Sequence, residues 1–447
     1  MTTKGGQRAA VTAAGIATAL LGGRWRRREM VRRTAVALGL ERAPRWVGTL
    51  VGEVLAAYAD PPADRPRELA AFVRTTEGWR RGWRVVPQPR VLRWQPVPTE
   101  VVVRPRGVAD LPDLAALARL LDLDAGELAW FADAHRLERT VAEPLRHYRW
   151  TVVDSRSGPR LLAAPKLRLK EAQRRLLRHV VGPLPVHAAA HGCVPGRSVR
   201  TAVAPHAGAA VVVQLDLEAF FASIAAERVH ALLRTVGGLT EPVAHAVTGL
   251  VTTVVPRSVW AGVPVPADRE RHRRLGVHLA APHLPQGAPT SPALANLVCF
   301  RLDRRLAGLA ASFGATYTRY VDDLTFSGDR GIDRGRLEQL VGEVVTEEGF
   351  RLNAAKTRSA PSSRRQSVLG TVVNVRPALP RPERDALRAL LHNCATHGWT
   401  TQVRDRDPAT FRDHVLGRVA WATSVDPVSG ARLRALADRI DWSLSPG

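Results

Sequence analysis

Three aspartates are the residues of this sequence best suited to binding divalent cations. Asp216 ends a run of β-branched residues, and Asp322 and Asp323 follow 106 residues later (322 − 216). Phosphoryl transfer to a 3′ hydroxyl group uses divalent ions held by hard oxygen ligands, which carboxylates supply. An Asp-Asp pair is also common in solvated loops, and an acid at a strand end often caps a helix. The aspartates therefore indicate a metal site only if the fold brings them together.

The segments around these aspartates read as strands and helices in an order that can bring them together. Residues 209–217 have the pattern of a buried strand, and Tyr317–Phe326 reads as two short strands around a turn. Ser291–Leu309 is predicted as a helix capped by Ser291, residues 337–345 as a second helix, and Val368–Asn374 as a final strand. Strand, helix, hairpin, helix, strand is the order of a split βαβ sheet.

The composition favours a nucleic-acid partner. The 447-residue chain has 65 Lys and Arg against 41 Asp and Glu, which gives a net charge of +24 and a pI near 11.4. Such a charge favours a polyanion, and nucleic acid more readily than a membrane. Three scattered cysteines predict neither a disulfide framework nor a CxxC metal site, which suits the cytoplasm. The apolar residues 9–21 run into a basic cluster and predict an N-terminal helix rather than a signal peptide.

Four segments resemble the motifs of bacterial retron-type reverse transcriptases. Asp216 opens the sequence DLEAFFASI, which resembles the first catalytic motif, and Tyr320–Asp323 is YVDD, the signature turn of that family. Residues 284–292, LPQGAPTSP, resemble the nucleotide-site motif, and residues 349–358, GFRLNAAKTR, stand where the next motif belongs. Four such motifs in the family's order rarely coincide by chance.

The resemblance implies a metal-binding role for each aspartate. Asp216 and Asp322 would bind two Mg²⁺ ions, for which Mn²⁺ could substitute, and the carbonyl oxygen of Leu217 would complete one coordination shell. Asp323 would be a weaker or supporting ligand. Lys356 would act as a general acid that protonates the leaving pyrophosphate.

The resemblance also implies a set of nucleotide-binding residues. Arg160 would grip the triphosphate, with Lys166 as a helper. Phe221 would stack under the sugar and exclude a 2′ hydroxyl group, which is the group that distinguishes RNA from DNA. Gln286 and Gly287 would line the nucleotide pocket, because glycine lets the backbone approach closely.

The fold class implied by the resemblance is an α+β right-hand polymerase. It would have fingers, a palm that contains the split βαβ sheet, and a helical thumb. Residues 1–140 are predicted to be a basic, mainly helical N-terminal extension, residues 141–375 the fingers and palm, and residues 376–447 the thumb. Five prolines between residues 84 and 107 predict an extended linker or an edge-strand segment within the extension.

The implied activity is RNA-directed DNA synthesis in the cytoplasm. A structured RNA would be template and primer, dNTPs the substrates and an RNA–DNA hybrid the product. The retron resemblance adds the synthesis of multicopy single-stranded DNA (msDNA) and antiphage defence with an accessory effector protein. Two retron hallmarks differ, because Ala202–His206 keeps only the histidine of Asn-Ala-x-x-His and Val368-Leu369-Gly370 replaces Val-Thr-Gly.

Three other classes of protein share some of these features. A group II intron-like or other bacterial reverse transcriptase would have the same motifs, but the segment after Asn374 is short for a maturase. A nonenzymatic RNA-binding protein on a polymerase fold would share the charge, although the intact aspartates argue against it. A zinc protein could use His187, His191 and Cys193, but Gly192 interrupts any helix there and no fourth ligand follows.

Overall fold

The computed structural model describes residues 4–62, 66–93, 107–133, 137–154, 158–404 and 407–443. Most of the predicted proline-rich linker, residues 94–106, lies outside these ranges. Among the described residues, no helix combines the length and the apolar character needed to span a bilayer.

The elements follow one another in chain order. The first stretch contains α1 (Lys4–Leu21), α2 (Arg27–Ala37), α3 (Arg45–Ala57), α4 (Pro66–Thr75), α5 (Glu77–Trp83), α6 (Leu114–Leu121), α7 (Ala125–Phe131), β1 (Tyr148–Val153) and β2 (Arg160–Pro165). Next come α8 (Leu167–Leu176), α9 (Val199–Val203), β3 (Val211–Asp216), α10 (Phe220–Ser223), α11 (Ala226–Thr235), α12 (Glu241–Val251), α13 (Arg257–Ala261), α14 (Arg269–Leu279), α15 (Ser291–Val298) and α16 (Phe300–Ser312). The last are β4 (Thr316–Tyr320), β5 (Asp323–Gly328), α17 (Arg334–Glu347), β6 (Arg358–Pro361), β7 (Ser367–Val368), β8 (Thr371–Val372), α18 (Arg381–His397), α19 (Pro408–Val425) and α20 (Pro427–Ala437).

The chain divides into two compact units, each assembled from three stretches of sequence. The first unit contains Met1–His187, Leu217–Arg304 and Gln339–Leu352, and the second contains Ala188–Asp216, Arg305–Glu338 and Asn353–Gly447. These divisions do not follow the predicted boundaries at residues 140 and 375. The division into extension, fingers with palm, and thumb therefore stays a prediction.

The N-terminal helices of the first unit pack around a core of their own. Leu20, Leu50, Val54 and Leu69 are fully buried in this cluster. A Cβ atom added at Gly78 would lie 2.3 Å from the main-chain nitrogen of Leu50, so the crossing of α5 over α3 requires glycine. The helix predicted over residues 9–21 is confirmed as part of α1. Further along the same unit, β1 and β2 pair as an antiparallel hairpin.

A four-stranded sheet forms the centre of the second unit, in the order β4-β5-β3-β6. Every neighbouring pair is antiparallel, so β3 and β4 run parallel to each other with β5 between them. This is the predicted split βαβ topology, but its last strand is β6 and not the predicted segment Val368–Asn374. The β-branched sequence of β3 suits its central position, since Val211, Val212, Val213 and Leu215 are all buried.

His206, the histidine retained from the Asn-Ala-x-x-His motif, is a buried cross-link within this sheet. His206 has no exposed surface, and its two ring nitrogens lie 2.7 Å from the hydroxyl oxygens of Ser327 and Thr318. It therefore joins β5 to β4 from one side. Burial lowers the pKa of His206 to about 4, so the imidazole is neutral at pH 7, with one nitrogen donating and the other accepting.

The helix predicted over Ser291–Leu309 is wrong in two details. It is divided at Cys299, because that residue has ψ 0°, outside the α-helical range, so the segment forms α15 and α16. The N-cap position is Thr290 and not Ser291, whose hydroxyl donates instead to the carbonyl oxygen of Pro285 at 2.7 Å. The Ser291 hydroxyl therefore fixes the preceding loop rather than a free amide of the helix.

The single strand predicted over Val368–Asn374 is also wrong. The segment folds back on itself as the hairpin of β7 and β8, because Leu369 and Gly370 both adopt positive φ angles of 50° and 76°. The Asn374 side chain then donates to the carbonyl oxygens of Ser362 and Arg364 instead of continuing a strand.

Acid is expected to destabilise the protein through His206. Its pKa of about 4 in the fold lies below the ordinary 6.5, so the stabilisation is complete above pH 6.5 and is lost as the pH falls towards 4. The full loss is about 3 kcal/mol at 1.36 kcal/mol per pKa unit. Urea unfolding at pH 7.5 and 4.5 should show this decrease.

The variant His206→Gln separates this effect from other titrations. It should be roughly 1–3 kcal/mol less stable at pH 7.5, because buried hydroxyls lose a partner, yet its stability should depend less on pH. The exposed His397, changed to Gln, is the matched control and should leave both values unchanged. Equal pH dependence of His206→Gln and the parent protein would contradict the assignment.

Candidate active site

The two adjacent aspartates lie at a two-residue hairpin turn between β4 and β5. Tyr320 and Asp323 pair across the hairpin, which leaves Val321 and Asp322 as the turn residues. Val321 has φ 59°, the left-handed region required at the first position of a type II′ turn. Glycine normally occupies this position, and a β-branched residue there is strained. The turn therefore needs support from its surroundings.

One support is Arg319, the residue two places before the turn residue Val321. Its side chain is fully buried, and Nη1 donates to the carbonyl oxygen of Val321 at 3.0 Å. Its main chain accepts from His191 at 2.8 Å and donates to Ala189 at 2.7 Å. The segment around Ala190 thus runs parallel to β4 and pairs with it through a single bridge at Arg319. The sequence signal for this role is an arginine inside a β-strand pattern.

The second support is Gly192, which follows the segment around Ala190. A Cβ atom added there would lie 2.7 Å from the main-chain nitrogen of Val321, 2.7 Å from its Cγ2 atom and 3.2 Å from the carbonyl carbon of Tyr320. The glycine therefore lets the chain lie directly against the back of the turn. The contact fixes the position of the backbone on which Asp322 stands.

Asp216 lies at the end of β3, directly opposite Asp323 on β5. Opposite residues of antiparallel strands point to the same face, so the sheet brings these two predicted residues together. Asp216 is only 6% exposed. Its Oδ1 accepts from Asn353 Nδ2 at 3.0 Å, and its Oδ2 accepts from Lys356 Nζ at 2.8 Å. The structure therefore also brings Lys356 to the predicted site, together with Asn353, to which the sequence had assigned no role.

The donor chemistry of this site fits a divalent cation. Two carboxylates that face each other on adjacent strands repel unless a positive charge lies near them, and oxygen ligands are those that Mg²⁺ prefers. Within the described part of the chain, no three His, Cys, Asp or Glu side chains already converge as a metal site. The positive charge beside the Asp216 carboxylate comes instead from the ammonium group of Lys356. Leu217, whose carbonyl was the fourth predicted ligand, is buried and bridges to Leu352.

Burial also acts on the tyrosine of the signature turn. It raises the pKa of Tyr320, with a further contribution from nearby Cys193, so the phenol stays protonated at neutral pH. Tyr320 is opposite Asp323 and hence on the same face of the sheet. The phenol adds no charge to the acidic face.

Three predicted nucleotide-binding residues lie around β2 of the first unit. Arg160 is the exposed first residue of that strand. The carbonyl oxygen of Gln286 accepts from the main-chain N–H of Ala163 at 2.8 Å, which fastens the Gln286 loop to the strand. Gly287 has φ 128°, and a Cβ atom there would lie 2.9 Å from the carbonyl oxygen of Ala163. This position thus requires glycine for both its conformation and its close approach.

The two other predicted nucleotide-binding residues also belong to the first unit. The Lys166 ammonium donates to the carbonyl oxygens of Glu143 and Pro144, at 3.1 and 2.7 Å. Phe221 lies in the short helix α10, is partly exposed, and packs its ring 5.3 Å from that of Phe220. The buried Phe220 is therefore a packing residue, whereas Phe221 presents ring surface to solvent.

The residues of the zinc alternative do not form a metal cluster. No helix contains His187, His191 and Cys193, so the histidines do not share a helix face. The His191 Nδ1 atom lies 2.9 Å from the Thr201 hydroxyl, and the His187 ring packs against Phe300. Both imidazoles thus have structural partners.

Comparison with known proteins identifies the class. The family model described as reverse transcriptase (RNA-dependent DNA polymerase) matches residues 153–373, which contain every predicted site residue. The match and the fold together define an RNA-directed DNA polymerase.

The relatives narrow the class further. Retron Mx65 reverse transcriptase of Myxococcus xanthus is 41% identical over 350 residues, which is 74% of this chain and 76% of that protein. Retron Mx162 reverse transcriptase of the same organism is 42% identical over 358 residues, covering 76% and 70%. Retron Ec86 reverse transcriptase of Escherichia coli is 29% identical over 284 residues, covering 63% and 77%. The chain belongs to the retron reverse transcriptases, as its motifs predicted.

Substitution of Gly192 should impair catalysis without unfolding the protein. The variant Gly192→Ala adds a methyl group 2.7 Å from Val321 and must displace the turn that carries Asp322. We expect the rate of DNA synthesis to fall roughly 10- to 100-fold, the usual effect of a misplacement near 1 Å. Gly308→Ala, where the added methyl group meets open space, is the matched control and should keep parental activity. Parental activity in Gly192→Ala would show that the contact does not position the turn.

Proposed function

We propose that this polymerase copies a structured RNA into DNA by two-metal nucleotidyl transfer, as the synthetic enzyme of an msDNA-producing antiphage system. The observation that supports the mechanism most directly is the register of Asp216 opposite Asp323, beside the turn that carries Asp322. This arrangement places two carboxylates opposite each other at the ends of neighbouring strands, and carboxylate oxygens are ligands that hard cations prefer.

The proposed metal ligands are the three aspartates and one carbonyl group. Asp216 and Asp322 would hold both ions, Asp323 would support them, and the carbonyl oxygen of Leu217 would be a further oxygen ligand. Bound Mg²⁺, or Mn²⁺ in its place, would activate the 3′ hydroxyl group and neutralise the triphosphate. The protein's own part is to hold these oxygens rigidly, which the supported turn and the buried β3 strand favour.

The proposed roles of the nucleotide-binding residues follow from their chemistry. Arg160 binds the triphosphate through its planar guanidinium, which suits bidentate contact. Lys166 assists it by exchanging carbonyl contacts for phosphate oxygens. Gln286 and Gly287 line the nucleotide pocket, and Phe221 excludes the 2′ hydroxyl group. Lys356 protonates the leaving pyrophosphate as a general acid.

The remaining proposals concern the partners. A net charge of +24 suits a structured RNA template with its primer and the RNA–DNA hybrid that forms on it. DNA synthesis takes place in the cytoplasm, with dNTPs as substrates. An accessory effector protein would complete the defence system.

Loss of Asp322 should abolish DNA synthesis and leave RNA binding nearly unchanged. Purified Asp322→Ala with Mg²⁺, an RNA template and dNTPs should lose at least about 100-fold in primer extension, more than removal of an outer-shell partner usually costs. The exposed Asp329, changed to Ala, is the matched loss of one carboxylate near the same hairpin and should keep parental activity. Full activity in Asp322→Ala would refute the site assignment.

The same variant also tests the retron product. Nucleic acid that copurifies with the parent chain from its native host should contain DNA joined to RNA through a branch. Asp322→Ala should retain the RNA and contain no DNA. Parental RNA without any branched species would refute the proposal of msDNA synthesis while leaving the polymerase activity intact.

Substitution of Phe221 should admit ribonucleotides. Phe221→Val removes ring surface that excludes the 2′ hydroxyl group, so the preference for dNTPs over rNTPs in primer extension should fall by about tenfold or more, a loss of ~1.4 kcal/mol of discrimination. Phe221→Tyr retains the ring and should retain the preference. Unchanged discrimination in Phe221→Val would remove this residue from the proposed role.

A further inference from the structure

Both carboxylate oxygens of Asp216 are occupied by side chains from one short segment, residues 353–356. Asn353 donates its side-chain N–H to Oδ1 at 3.0 Å, and Lys356 donates to Oδ2 at 2.8 Å. The main-chain N–H of Asn353 also donates to the carbonyl oxygen of Asp216 at 2.8 Å. Three hydrogen bonds therefore fix this aspartate along its backbone and at its carboxylate.

The two side-chain partners differ in charge and in mobility. Asn353 is 5% exposed, and its amide leaves the negative charge of Asp216 in place. The Lys356 side chain is 31% exposed, and its ammonium neutralises that charge from a flexible stem. A cation that approaches Oδ2 competes with Lys356, whereas Asn353 can keep its bond to Oδ1 while the other lone pairs bind metal.

We propose that Asn353 is a positioning residue that orients the Asp216 carboxylate for metal binding, and that Lys356 is an internal cation which the metal ion displaces. This inference rests on the proposed role of Asp216 as a metal ligand. Without metal, Lys356 offsets the repulsion between Asp216 and the opposite Asp323. When a divalent ion binds Oδ2, repulsion between the two cations releases the ammonium.

Displacement would also prepare Lys356 for its proposed catalytic role. While the ammonium is bound to the carboxylate, its charge is offset and one of its three N–H groups is occupied, so its release by metal makes it a better partner for a phosphate group. Metal binding and the supply of the general acid would then be coupled through one oxygen atom of Asp216. Asn353 would keep the carboxylate in place during the exchange.

Mn²⁺ binding to the full-length protein without nucleotide tests the displacement directly. In electron paramagnetic resonance titrations, Lys356→Gln should bind Mn²⁺ about tenfold more tightly than the parent, because the competing cation is gone. Primer extension by the same variant at saturating metal should nevertheless be slower, because the proton donor is lost. A structural defect alone would not produce tighter binding together with slower synthesis.

Asn353→Ala should show the opposite effect on the affinity for Mn²⁺. Its Mn²⁺ affinity should fall about 10- to 100-fold, the usual effect of removing an outer-shell partner, and the Mg²⁺ concentration for half-maximal synthesis should rise. Asn353→Ser can still donate one hydrogen bond and should lose less affinity. Parental Mn²⁺ affinity in Asn353→Ala would overturn the positioning role.

Matched variants keep each outcome interpretable. Lys356→Arg retains a cation and should not bind Mn²⁺ more tightly, and Arg358→Gln removes one exposed positive charge close by and should leave the affinity unchanged. Parental or weaker Mn²⁺ binding in Lys356→Gln would overturn the displacement. If Lys356→Gln gives that result while Asp216→Asn loses Mn²⁺ binding, Asp216 remains the proposed metal ligand. Parental Mn²⁺ binding in Asp216→Asn would refute the ligand assignment itself, and this inference with it.

Discussion

The register that sets Asp216 opposite Asp323 places two negative charges side by side on adjacent strands. Such a pair is unfavourable by itself, so the fold has to supply both rigidity and positive charge. The sheet supplies rigidity through the buried strand β3, and Lys356 supplies the charge at Oδ2 of Asp216. A site that holds like charges together in this way suits divalent cations, which is the physical basis for proposing the polymerase chemistry at these strand ends.

The turn that carries Asp322 shows how backbone strain is maintained at these strand ends. Val321 adopts a positive φ angle that glycine would adopt without strain. Buried Arg319 binds the turn from within, and Gly192 lies against its back. The Gly192 contact comes from a segment more than a hundred residues away in sequence, beside β4, whereas Arg319 belongs to β4 itself. The strain therefore persists because packing and hydrogen bonds from several elements determine the same conformation.

The departures from the retron pattern have a structural interpretation. His206, the retained member of one hallmark, joins the strands β4 and β5 as a neutral, buried imidazole. Its contacts thus concern the stability of the sheet, and the changes at nearby positions leave that cross-link intact. At the other hallmark, Leu369 and Gly370 form the turn of a small hairpin. Neither departure changes Asp216, Asp322 or Asp323.

The sequence alone predicted the family, the strand β3 and the hairpin of β4 and β5, and it singled out the three aspartates, because these depend on local residue patterns and motif spacing. It also predicted the split βαβ topology, since that topology follows from the order of elements. Only the tertiary structure showed that Asn353 and Lys356 donate hydrogen bonds to the carboxylate of Asp216. It also showed that Arg319 and Gly192 support the turn, and that the predicted helix divides at Cys299. The contacts of Asn353, Lys356 and Gly192 join segments distant in sequence, which no local pattern encodes.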